Sequence, residues 1–115
     1  MRDIVEYISS TLSEVSVPSA FQWYPPGSNG LPDEYVTFFE YATTPDLEAA
    51  DEEVTTGRLI QVNVWSKGNY AQFVNKVRTA LEVAGFQRTF EYDAPYQDGD
   101  SHFNKVLRFA FFDDY

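Results

Sequence analysis

The chain reads as a single α+β domain: a mainly antiparallel sheet of four to five strands with two helices packed on one face, in the order α-β-β-β-α-β-β. Three observations predict this. Two segments carry apolar residues at three- and four-residue spacing, the period of an amphipathic helix. Five others are short, β-branched or aromatic, and alternate, as half-buried strands do. Clusters of Pro, Gly, Asn and Asp separate them, and neither an internal repeat nor a low-complexity tract interrupts the pattern.

The first helix is expected from about Asp3 to Val15, with Ile4, Tyr7, Ile8, Leu12 and Val15 on one side. Asp3 and Glu6 near its start suit the positive end of the helix dipole, and Pro18 ends it. A short strand over Ala20–Tyr24 stops at Pro25-Pro26-Gly27. The strand Tyr35–Tyr41 has apolar residues on both faces: Val36 and Phe38 on one, Tyr35, Thr37, Phe39 and Tyr41 on the other. A helix is expected to cover one face and something else the other. Residues 43–54 are acidic, with Asp46, Glu48, Asp51, Glu52 and Glu53 and no apolar period, which predicts a mobile acidic loop joining two strands.

The central unit follows. Ile60, Val62 and Val64 alternate with Leu59, Gln61, Asn63 and Trp65, then Ser66-Lys67-Gly68 turns the chain. Tyr70, Phe73, Val74, Val77, Leu81 and Ala84 form the apolar stripe of a second helix, and Gly85 stands where a left-handed C′ residue is wanted. Two last strands, Phe86–Tyr92 and Phe103–Phe112, are expected to pair as a hairpin. The second has Leu107, Phe109 and Phe111 on one face and Val106, Ala110 and Phe112 on the other.

At 115 residues the chain has the length of one domain with a real core. Aromatic residues make up 17% of it, which excludes the composition of a disordered chain. Its 18 acids against 8 bases give a formal charge of −10, so a groove that grips nucleic acid phosphates is not expected. Cysteine is absent, which removes thiol chemistry and disulfides, and no apolar run approaches a membrane span. Acids interrupt the first 15 residues where a signal peptide would be apolar, so a soluble intracellular protein is expected.

Catalytic signatures are missing. His102 is the single histidine, beside Asp100 and Ser101 in a Gly- and Asp-rich stretch. A base beside a hydroxyl could be drawn there, but a triad needs a third group in register, and the reading taken is a solvated turn residue. Residues 45–54 lack the glycine and alternating ligands of a calcium loop, and no phosphate-binding, dinucleotide-binding, zincin or hydrolase-elbow string occurs. No enzyme activity, cofactor or metal is therefore assigned. What remains is a surplus of aromatic side chains, read either as a generous core or as a subunit interface, where Tyr, Trp and Phe are enriched. Tyr35, Phe39, Tyr41, Trp65, Phe109 and Phe111 are the candidate interface residues, and the acids between Asp46 and Glu53 a candidate docking segment.

The strand YVTFFEY, the acidic insertion and the run RLIQVNVWSKGNYAQFVNKVRTALEVAGF, from Ile4 through Phe112 overall, resemble in layout the small tail terminator, or tail completion, proteins of long-tailed phages and prophages. The resemblance implies a ring, commonly a hexamer, on the end of the tail tube. Such a ring stops tube polymerisation and offers a surface to the head–tail connector protein. Its partners would be other copies of itself, the tail tube protein and the connector. DNA would pass through the channel without specific binding, and no membrane is involved. The protein would work in the host cytoplasm during assembly and then in the virion tail. A head–tail connector, a minor tail component, or a non-viral α+β module that binds a peptide or small ligand are the alternatives.

Overall fold

The computed structural model describes residues 3–28, 30–45 and 55–114. The elements are α1 (Ile4–Glu14), β1 (Ser19–Phe21), β2 (Glu34–Pro45), β3 (Thr55–Ser66), α2 (Ala71–Val83), β4 (Gln87–Ala94) and β5 (Phe103–Asp114). The strands form one five-stranded mixed sheet in the order β1-β2-β3-β5-β4. Only β1–β2 is parallel; β2–β3, β3–β5 and β5–β4 are antiparallel. Because β5 is antiparallel to both neighbours, β3 and β4 run the same way. The β3–α2–β4 unit is thus a crossover with β5 inserted in its gap.

Both helices end on the same backbone device. Ser16 (φ 60°) and Gly85 (φ 104°) are left-handed at the C′ position. The following residues, Val17 and Phe86, donate their N–H groups back to Leu12 O and Leu81 O, each at 3.0 Å. Each pair is buried, so the turn that satisfies the helix end also drives an apolar side chain into the core. Glycine at position 85 carries the left-handed turn expected of it. Serine does the same at position 16, two residues before the proline that the sequence offers as the stop. At the other end of α1, Asp3 accepts from the Glu6 N–H at 3.2 Å.

One face of the sheet is covered by the two helices. Ile4, Ile8 and Leu12 of α1 and Phe73, Val74, Val77 and Leu81 of α2 pack on Val36, Phe38, Ile60, Val62, Val64, Leu107, Phe109 and Phe111. Tyr7 adds a polar tie: its hydroxyl donates to the Ala84 carbonyl at 2.6 Å while its ring stacks at 5.8 Å from Phe86. It thereby satisfies one of the carbonyls that the end of α2 leaves without an intrahelical donor.

Three boundaries differ from expectation, the first being β1, which spans Ser19–Phe21 and stops before the left-handed Gln22 (φ 64°) instead of running over Ala20–Tyr24. β2 continues through Thr43 and Thr44 to Pro45 instead of giving way to a loop at residue 43. The ladder with β3 explains this, for the pairing runs to Thr44↔Gly57 and Pro45↔Thr56, and the acids begin only beyond it. The expected acidic loop otherwise lies outside the described residues. β4 begins at Gln87, since Phe86 is the buried residue of the helix cap and not a strand position.

Leu81 and Phe73 fill the space between helix and sheet, so alanine at either should cost about 2–5 kcal/mol in denaturant melts. A loss below about 1 kcal/mol for both variants would mean that α2 packs through another face.

Candidate interaction surface

The strand pairings settle which side chains share the other face. From β2 come Tyr35, Thr37 and Phe39; from β3 Leu59, Gln61, Asn63 and Trp65; from β5 Asn104, Val106, Arg108, Ala110 and Phe112. Phe90 and Tyr92 of β4 continue it opposite Arg108 and Val106. No helix of the described residues lies on this face. It is aromatic at both ends and polar across the middle.

One end is closed by the domain's own loops. Tyr35 is only 7% exposed, stacked at 6.0 Å on Trp65, tilted at 5.1 Å against Tyr24 and met edge-on at 5.1 Å by His102. Burial pushes the Tyr35 phenol pKa up. The Trp65 indole N–H donates to Thr37 Oγ1 at 3.0 Å. Further along, the face is open: Tyr41 stands beside the bulge at Glu40/Ala42, and Tyr41, Phe90, Tyr92 and Phe112 are all exposed. Arg108 lies among them, its Nε donating to Gln61 Oε1 at 3.2 Å and its guanidinium 5.0 Å over the Tyr41 ring.

These positions divide the expected interface residues. Phe39, Tyr41 and Trp65 belong to the uncovered face and reach its surface. Tyr35 belongs to it but is tucked under Tyr24 and His102. Phe109 and Phe111 do not belong to it: they lie under the helices, 0% and 8% exposed, against Phe86 and, for Phe111, Tyr7. The reason is register, since Phe109 pairs with Ile60 and Phe111 with Arg58 on the helix side. Both frames of β5 are apolar, so alternation alone cannot choose between them. Phe90, Tyr92, Arg108 and Phe112 also stand on this face without being among the expected residues, and those of β5 become legible only once β5 is aligned with β3. Asp46, Glu48, Asp51, Glu52 and Glu53, the expected docking segment, lie outside the described residues.

His102 is not a solvated turn residue. It is buried, with Nε2 2.8 Å from the Pro32 carbonyl and Nδ1 2.7 Å from Ser101 Oγ. A carbonyl can only accept, so Nε2 carries the proton and Nδ1 accepts from the Ser101 hydroxyl. The imidazole clasps the segment before β2 to the start of β5. As chemistry it is a fixed tautomer whose ring faces Tyr35, and no carboxylate among the described residues completes a relay.

On the helix side, polar groups gather where the helices do not reach. The Arg58 Nε and Nη2 donate to the Glu40 carboxylate at 2.5 and 3.0 Å, and Arg58 is 8% exposed. These bonds hold the Glu40 carboxyl below its ordinary pKa, over the opposing effect of burial and with help from Thr43. Across the sheet Glu91 meets Arg78, Arg88 and Lys105, and Asp93 meets Lys105 and the Tyr70 hydroxyl. Among the described residues no group of three or more His, Asp or Glu side chains could hold a metal ion. No described helix is long and apolar enough to cross a membrane.

The chain matches no protein-family model, and no curated protein sequence matches it at a significant level.

Replacing His102 by alanine orphans the Pro32 carbonyl and empties the edge of Tyr35, at an expected cost of about 1–3 kcal/mol. Unchanged denaturant melts would return the residue to a solvated role. The Glu40 pair has a pH signature. A carboxyl held below its unfolded pKa stabilises the fold above that value, and the gain is lost as pH falls through the folded pKa. Stability should therefore decline as pH drops below about 4.5, the ordinary value for Glu, and Glu40→Gln should shed part of that decline. Parallel acid profiles for the two proteins would exclude it.

Proposed function

We propose that this chain is a structural protein of a phage tail that assembles into a ring on the end of the tail tube, ends its polymerisation and presents a docking surface to the head. The observation that carries the reading is the uncovered sheet face. Apolar surface of this extent, with Phe39, Tyr41, Phe90, Tyr92 and Phe112 around a polar middle, is what a subunit contact uses and what a monomer is under pressure to bury. The likeness of the chain's layout to tail terminators supplies the biological setting, and a ring needs a contact of this kind on every subunit. The net charge of −10 suits a protein whose channel lets DNA pass without holding it.

Virus particles made without the protein test the role. Abnormally long tails without heads are the outcome expected of a terminator. Tails of normal length with leaking or unfilled heads would assign a connector instead, and normal particles would end the reading. Phe39→Lys and Tyr41→Lys test the surface in the same system. Both variants should stay folded, fail to form rings and leave tail ends unregulated. Folded variants that still give tails of normal length would rule this face out.

A further inference from the structure

We propose that two copies of this chain join through the open edge of β4, antiparallel about a two-fold axis at Glu91, so that their sheets merge into one. Phe90 then stands opposite Tyr92 of the partner subunit, and Arg88 opposite the partner's Asp93. The contact uses a strand edge, goes beyond the ring reading above, and holds or fails without it.

The state of the two sheet edges is the first argument. β1 has three residues and stops before the left-handed Gln22, and the stretch of β2 that it leaves bare ends in Pro45, which has no N–H to offer. At the other edge β4 has eight residues and one strand neighbour, β5. Among the described residues no backbone group outside β5 bonds to it. Charges on β4 would guard such an edge if they were unbalanced. They are not: Arg88, Glu91 and Asp93 form one ion-paired cluster with Arg78 and Lys105.

Register is the second argument. Phe90 pairs with Arg108, Glu91 with Leu107, Tyr92 with Val106 and Asp93 with Lys105, while the bulge absorbs Thr89 and sets Arg88 against Phe109. Counted along β5, Phe90 and Tyr92 therefore stand one step either side of Glu91, and Arg88 and Asp93 two steps either side. A two-fold axis at Glu91 turns this symmetry into contacts. On the uncovered face each Phe90 meets a Tyr92, an aromatic cross-strand pair, and on the helix side each Arg88 meets an Asp93. The same axis aligns the whole strand, Gln87 to Ala94. Moving it to Phe90 leaves Asp93 and Ala94 without partners, and moving it to Tyr92 sets Glu91 against Asp93.

Charge favours this edge over other surfaces. Two chains of −10 repel each other unless they meet where the local charge is not negative. Around β4 the bases Arg78, Arg88 and Lys105 outnumber the acids Glu91 and Asp93. The Arg88 and Asp93 side chains are 41% and 62% exposed, so each has room for a second partner. The two Glu91 carboxylates that meet at the axis are each already held by Arg78, Arg88 and Lys105. An isologous contact of this kind closes at two copies.

The absence of cysteine provides one test, because introduced thiols report contacts without background. Phe90→Cys and Tyr92→Cys proteins, mixed in equal amounts, concentrated and oxidised, should give a crosslinked dimer on a non-reducing gel and nothing beyond it. Either protein alone should give at least tenfold less, since like positions lie on a diagonal, beyond the roughly 7 Å between Cα atoms that a disulfide spans. Charge exchange provides the other test. Arg88→Asp protein and Asp93→Arg protein should each be monomeric by light scattering, and their mixture should form a dimer, with circular dichroism confirming the fold of each. Equal crosslinking by Phe90→Cys alone, or a mixture of the charge variants that stays monomeric, would overturn the pairing. A ladder beyond the dimer would show a head-to-tail contact in place of this one. An unaltered chain that stays monomeric at the highest attainable concentration overturns the proposal outright, while tail length in particles lacking the protein decides the ring reading separately.

Discussion

The constraint on which the rest of this structure depends is a mismatch of lengths. Three strands, β2, β3 and β5, have 12 residues each, about 40 Å of sheet at the rise of an extended chain. The two helices have 11 and 13 residues, no more than about 20 Å each at the helical rise. Helices of that size cover part of one face and none of the other. The molecule's long dimension of 51 Å against 26 and 21 Å is the visible result. Where the helices stop on their own side, the sheet turns polar: Arg58 and Glu40 pair at one end, and Glu91, Asp93 and Lys105 gather near β4. On the opposite side the middle is polar and the aromatic residues stand at the two ends.

The two faces also treat charge differently. Buried charge is tolerated when each group finds a partner, and on the helix side Arg58, Glu40, Glu91, Asp93 and Lys105 all do. Glu91 is the clearest case. Burial alone would raise its pKa, yet Arg88, Lys105 and Arg78 together bring it below the ordinary value. The uncovered side holds an arginine satisfied by neutral groups, and its neighbours are rings. One sheet thus carries a finished surface and an unfinished one.

Much of the fold was legible in the chain because local signals agreed with each other. The stripe of α2, the alternation of β3 and the glycine at position 85 all pointed to one unit, and each is where it was expected. What could not be read was register. In β5 the odd and even positions are both apolar, so Phe109 and Phe111 could be assigned to either face until their pairing with Ile60 and Arg58 decided it. His102 failed for another reason. Its surroundings in sequence are small and polar, while its surroundings in space are Tyr35 and Pro32, brought from a distant segment. Tyr35 was likewise placed on the right face but not under the loops that cover it. Arg108 drew no attention, since a single arginine in an alternating strand is ordinary until no other charge is found among the described side chains of that face.

The position of β5 has a consequence for the order of events in synthesis. This strand follows all the others in the chain, yet it sits between β3 and β4 and supplies both with their ladder. Until it emerges from the ribosome, β3 has one open edge, β4 has no partner, and the core lacks Leu107, Phe109 and Phe111. The nascent domain therefore holds an empty slot lined by two strand edges, and any extended segment of another chain can enter it. Folding of this protein is completed from the middle of its sheet by the last element made, and its exposure to misassembly is greatest just before that moment.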